Sequence, residues 1–216
     1  MHRIITTIYW LLALSYITST LTTTYSWSFL HKAAPILLLG VIAGKQTDLP
    51  ARWWLIAGIL SSAAGDMLLA LPLKHSFILG LSAFALAHIL YSIFLFRWRN
   101  LDRLNLLTVS LFSAYLVAML FLLLPAVGSL QLPVIGYFVA ISVMFISALA
   151  ANTQGYALRL GALLFVVSDS LLAINAFITP LPLQSVLVMS TYYAAQFFIV
   201  KGCIQLVKVP RGNEFV

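Results

Sequence analysis

Gly58-Ile59-Leu60-Ser61-Ser62-Ala63-Ala64-Gly65-Asp66-Met67-Leu68-Leu69-Ala70-Leu71 decides how this chain folds. It is an apolar segment of membrane-span character with one carboxylate set into it. Farther along, Gly161 to Ile174 reads GALLFVVSDSLLAI, against GILSSAAGDMLLAL here. Aligning Asp66 with Asp169 also aligns Gly58 with Gly161, Leu60 with Leu163, and Leu68-Leu69-Ala70 with Leu171-Leu172-Ala173. Only five acidic residues stand among the 216, and two of them sit in these segments. A charge at membrane depth costs roughly 2.5–3.5 kcal/mol on insertion scales, so such a residue marks function by default.

Composition sets the solvent. The chain is 62% hydrophobic and 8% charged, against about 45–50% and about 25% in soluble domains. One aqueous core would not hide so much apolar surface. In lipid the backbone has two options, helix or closed barrel, and barrel strands alternate apolar and polar residues. The apolar runs here are continuous, so the expected class is all-α, a polytopic bundle of transmembrane helices. The net charge of +7 comes from residues scattered between apolar segments. It therefore does not describe a nucleic-acid-binding surface. Cys203 is alone, which excludes a disulfide framework and a cysteine metal site, and is read as a packed small residue. The run after Met1-His2-Arg3 continues to Leu21 with no Ala-x-Ala site. It exceeds the about 7–15 apolar residues of a signal sequence and is read as a retained helix.

Eight spans are expected, near 4–21, 30–44, 52–71, 76–96, 104–124, 132–151, 157–177 and 183–206. Pro50, Pro72, Pro125, Pro133, Pro180 and Pro182 punctuate the connections. No linker is visible, so residues 1–216 read as a single transmembrane domain. With the N-terminus cytoplasmic, the inner segments hold Arg3, Lys45, Arg52, Arg97, Arg99, Arg103, Arg159, Lys208 and Arg211. The outer ones hold Lys32 and Lys74, and Lys201 falls inside the last span. The positive-inside rule thus places both termini in the cytoplasm, and the expected site is a bacterial inner membrane. Spans 3 and 7 then run the same way. Phe84-Ala85-Leu86-Ala87-His88 is echoed by Tyr192-Tyr193-Ala194-Ala195-Gln196. Together these suggest two parallel four-helix repeats, 1–100 and 101–216, that bring Asp66 and Asp169 face to face.

At 1.5 Å per residue, Asp169 lies roughly 15 Å beyond Arg159 and Asp66 roughly 21 Å beyond Arg52. Both depths fall within a hydrocarbon core of about 30 Å. His88 with Tyr91, and Tyr192 with Gln196, are helical neighbours that each share a face. Lys32 begins span 2 within reach of Asp66. Gly58, Ser62 and Ala63 let a neighbouring helix come close to the Asp66 face. His2, His31 and His75 stand near span ends, where interfacial contacts account for them. One central histidine and two aspartates fall short of a zinc site.

The chain resembles the YhhN-type lysoplasmalogenase family of integral membrane proteins over almost its whole length. The marks are Lys32 with Pro35, Ser62-x-x-Gly65-Asp66 with Leu68-Leu69-Ala70-Leu71-Pro72, and Gly80-x-x-x-Phe84-x-x-x-His88-x-x-Tyr91. Gly161-Ala162-x-x-Phe165-x-x-Ser168-Asp169 with Leu172-Ala173-x-Asn175, and Thr191-Tyr192-Tyr193-x-Ala195-Gln196, complete them. Where the family has proline directly after the lysine of span 2, Ala33-Ala34 intervene here. The resemblance implies hydrolysis of the sn-1 vinyl ether of lysoplasmalogens to a fatty aldehyde and glycerophosphoethanolamine or glycerophosphocholine. The implied partners are this lysophospholipid and the bilayer, with no metal or organic cofactor. Asp66 and Asp169 would be catalytic; Lys32, His88, Tyr91, Asn175, Tyr192 and Gln196 would contact substrate. Nothing in the sequence fixes an oligomeric state.

Residue chemistry fits independently. A vinyl ether is hydrolysed by protonating its β-carbon and adding water to the oxocarbenium ion. The reaction needs a positioned acid and a group that orients water. A carboxyl group taken out of water beside a second carboxylate holds its proton, while its neighbour stays charged. Asp169, beside Phe165, Val166 and Leu172, is the expected acid, and Asp66, with Ser62 and Lys32, the expected base. The competing readings are a proton-coupled small-solute transporter using the same two carboxylates, a hydrolase of other lysolipid bonds, and a non-catalytic scaffold.

Overall fold

A computed structural model describes residues 3–22, 25–46, 50–153 and 155–206. His2, and Lys208 and Arg211 of the charge count, lie outside the described residues. The described residues form eight α-helices and no strand ladder: α1 (Arg3–Ser19), α2 (Ser28–Gly44), α3 (Arg52–Ala70), α4 (Ser76–Phe96), α5 (Leu106–Leu123), α6 (Gln131–Ala150), α7 (Ala157–Phe177) and α8 (Gln184–Leu206). They fall in order on the eight expected segments. The six from α3 to α8 are long and apolar enough to cross a membrane. α2, at 17 residues, is a shorter apolar helix, and α1 also has 17 residues. At 1.5 Å per residue, 17 residues reach about 25 Å, a little short of the hydrocarbon core. Large apolar side chains cover the outside, as on α5, where Leu106 is 80% and Phe121 84% exposed.

Two helical hairpins dominate the packing, α3 with α4 and α7 with α8. Glycine makes both possible. A Cβ on Gly58 would lie 2.5 Å from the Tyr91 ring, and one on Gly161 would lie 2.6 Å from the Ile199 amide nitrogen and 2.9 Å from the Ala195 carbonyl oxygen. α2 packs on α3, α4 on α6, and α1 on α2 and α8. Hydroxyls tie these seams: Tyr9 donates to the Tyr193 carbonyl at 2.6 Å and Tyr193 to the Lys32 carbonyl at 2.8 Å.

At one end, the connection after α4 meets the connection after α6. Asn100 donates its amide to the Ala150 carbonyl at 2.7 Å, and Asn152 to the Trp98 carbonyl at 2.8 Å. α5, capped by Asn105, whose side chain accepts from the Leu107 and Thr108 amides, is the loosest element. It buries only Phe112, Met119 and Leu123.

Candidate active site

Asp66 projects inward from near the end of α3 with 1% of its side chain exposed. Lys32, in the first turns of α2, reaches across and sets its Nζ 3.6 Å from Oδ1. From α8, the Tyr192 hydroxyl donates to Oδ2 at 2.7 Å. Burying a charge demands a partner and hydrogen bonds, and Asp66 has both.

Asp169 is held differently. The Tyr137 hydroxyl of α6 donates to its Oδ2 at 2.5 Å. His88 Nε2, from α4, lies 3.1 Å from the Tyr137 oxygen and 3.5 Å from the same carboxylate oxygen. The imidazole is fully buried, and its Nδ1 has no hydrogen-bond partner. A neutral imidazole carries one N–H. Placed on Nε2, that proton faces acceptors; placed on Nδ1, it would be a buried donor with nowhere to go. The geometry is therefore a chain in which His88 donates to Tyr137 and Tyr137 to Asp169. Phe165 sets its ring edge-on to His88 at 4.6 Å and to Tyr192 at 5.6 Å. Phe84 closes on Tyr192 at 5.7 Å. These aromatic edges fix the polar side chains without competing for their hydrogen bonds.

Both aspartates line one cavity of about 90 Å³, together with Lys32, Tyr192, Tyr16 and the first residues of α8, Gln184 and Ser185. Next to it lies an apolar cavity of about 50 Å³, which Asp169 also lines.

Comparison with known proteins identifies the family. Residues 27–203 match the YhhN family. The chain belongs to that family. Its relatives include lysoplasmalogenase TMEM86B of Rattus norvegicus, 35% identical over 83% of this chain and 75% of that protein. The TMEM86B of Sus scrofa is 39% identical over 79% and 72%. A lysoplasmalogenase of Mycobacterium tuberculosis is 33% identical over 79% and 68%. No solved structure matches the chain.

Within this YhhN-family chain, the residues expected from the sequence divide into four groups. Lys32, Asp66, Asp169 and Tyr192 meet at the polar cavity. His88 stands behind Asp169 and touches it through Tyr137. Tyr91 and Gln196 are buried away from either cavity lining: Tyr91 donates to Gln196 Oε1 at 2.8 Å, with Ser62 Oγ 3.5 Å from the phenol oxygen. Asn175 shapes the turn after α7, where its Oδ1 accepts from the Leu181 amide at 2.9 Å. Four residues at the site were not singled out from sequence: Tyr137, Tyr16, Gln184 and Ser185. Cys203 is buried in α8, as expected.

Proposed function

We propose that this chain hydrolyses the sn-1 vinyl ether of lysoplasmalogens, releasing a fatty aldehyde and glycerophosphoethanolamine or glycerophosphocholine. The observation that carries the reading is a pair of carboxylates from separate helical hairpins on one cavity, one ion-paired and one bound by a neutral hydroxyl. The relatives' names supply the reaction class. They give the transporter reading no support.

In this mechanism Asp169 protonates the β-carbon of the vinyl ether, leaving an oxocarbenium ion at the α-carbon. Asp66, paired with Lys32 at 3.6 Å, acts as the carboxylate that steadies the cation and takes a proton from the attacking water. The hemiacetal then collapses: Asp66 returns its proton to the departing glycerol oxygen, and Asp169 accepts the hemiacetal hydroxyl proton. Both acids end as they began, with one water consumed. The Tyr137 hydroxyl stabilises the Asp169 carboxylate that proton donation creates. Lys32, Tyr16, Gln184 and Ser185 face the glycerophosphate, while Tyr91 and Gln196 hold α4 against α8. Asn175 acts on substrate only through the turn that leads into α8.

All eight helices lie in a bacterial plasma membrane in this proposal, as two four-helix halves with both termini cytoplasmic. Three observations support it. Arg97, Arg99, Arg103 and Arg159 flank connections that the Trp98–Asn152 and Asn100–Ala150 bonds draw together. Trp53 and Trp54 stand exposed at the start of α3, as in an interfacial aromatic belt. Gly58 against Tyr91 and Gly161 against Ile199 occupy corresponding places in the two hairpins.

The test is aldehyde release from alkenyl, alkyl and acyl lysophosphatidylethanolamine by purified protein in lipid nanodiscs. Only the alkenyl form offers a protonatable double bond, so only it should react. Asp66→Asn and Asp169→Asn should each lower kcat by about 10²–10⁴, the usual contribution of a general acid or base. Equal cleavage of the alkyl or acyl lipid, or an active double mutant, would defeat the proposal.

A further inference from the structure

The bond to be broken joins an apolar chain to a polar glycerophosphate. An acid that protonates the chain-side carbon must therefore stand where a polar surface gives way to an apolar one. Of the two carboxylates, only Asp169 does. It lines both the polar cavity and the apolar cavity beside it, with Leu69, Phe84 and Leu172 forming the shared boundary. Asp66 lines the polar cavity alone.

The apolar cavity lies between α4, α5, α6 and α7, walled by Phe77, Leu81, Leu116, Phe138 and Phe177 among others. Its polar side chains besides Asp169 are already satisfied. The Tyr137 hydroxyl is spent on Asp169. Ser170 donates to the Val166 carbonyl at 2.6 Å, and Tyr115 hydrogen-bonds to Ser170. A hydrocarbon placed there strands no donor, which is what makes such a space suited to an apolar ligand. On the lipid side its wall is α5, which buries only three of its 18 residues.

We propose that this cavity is the subsite for the alkenyl chain, with Leu116 of α5 as its outer wall and Asp169 at the point where chain meets head group. The assignment rests on the hydrolase reading above. At about 50 Å³ the cavity takes the carbons next to the double bond, and the rest of the chain runs out past α5 into the bilayer. Discrimination should therefore be sharp for bulk close to the double bond and weak for length far from it.

The experiment measures kcat/KM of the wild type, Leu116→Trp and Leu116→Ala on two lysophosphatidylethanolamines, one with a hexadecenyl and one with a propenyl chain, and on a third whose hexadecenyl chain is methyl-branched beside the double bond. Leu116→Trp fills the cavity. It should cost the long-chain substrate about tenfold or more, in the range a crowded hydrophobic pocket commands, and leave the propenyl substrate within about twofold. Leu116→Ala enlarges the cavity and should raise the relative rate for a chain methyl-branched beside the double bond. If Leu116→Trp fails to fold, Leu116→Ala decides. A wild type that cleaves both substrates, with variants that leave the long-to-short and branched-to-straight ratios unchanged, overturns the subsite alone. A wild type that releases no aldehyde from any alkenyl lipid overturns the hydrolase reading with it.

Discussion

Replacing Tyr137 with phenylalanine removes a single oxygen atom and keeps the ring against His88, whose centroid lies 5.4 Å away. That oxygen is the middle of the chain from His88 to Asp169, 3.1 Å from one and 2.5 Å from the other. A hydrogen bond to an ionised partner is worth about 1.5–3 kcal/mol. In the proposed reaction Asp169 is a neutral acid before proton transfer and a carboxylate after it. The hydroxyl therefore stabilises the carboxylate forming in the transition state more than it stabilises the resting acid. At about 1.36 kcal/mol per decade, Tyr137→Phe should lower kcat by roughly 10- to 150-fold. KM should change little, because the lost group acts on Asp169 and not on the lipid. The assay is steady-state aldehyde release in nanodiscs, with a thermal-unfolding control for the fold. A variant whose kcat stays within about twofold of wild type, while Asp169→Asn is inactive, would show that Tyr137 does not support the acid.

Further substitutions test the frame. Gly161→Ala drives a methyl group into the backbone of α8, which has no side chain to move aside. Thermal unfolding should report at least the about 1–3 kcal/mol of overpacking, whereas Gly136→Ala, with nothing within 4 Å of the added carbon, should be neutral or stabilising. Lys32→Met strands a carboxylate that is 1% exposed. It should cost about 3–5 kcal/mol, the usual result of breaking a buried pair from one side, and adding Asp66→Asn should recover most of that stability but not activity. Leu183, with φ of 52°, precedes α8 in a left-handed conformation that costs an L-residue about 1–2 kcal/mol; Leu183→Gly should raise the unfolding temperature.

The helices were legible because their apolar runs are continuous and four of the seven breaks between them carry proline. The meeting of Lys32 with Asp66 was legible too, since a lysine opening one short helix and a carboxylate deep in the next have few other partners. Tyr137 was not. A tyrosine inside an apolar helix looks like packing until tertiary structure shows what its hydroxyl faces. One signal was present all the same: Lys32 stands 34 positions before Asp66, and Tyr137 32 positions before Asp169. If the halves correspond, a partner for the second aspartate was to be sought there. Helical periodicity put Tyr91 with His88 and Gln196 with Tyr192, and all four are buried. It carries no information on depth, and one further turn takes both residues out of the cavity and into the interior. Gln184 and Ser185 were hidden because a connection's path, unlike a helix's phase, depends on the elements it joins.

The contacts around the two carboxylates cross the length of the chain. Asp66 of α3 is gripped by Tyr192 of α8, and Asp169 of α7 leans on His88 of α4. Made as two separate pieces, the first four helices and the last four would have to associate before either acid had its full set of partners.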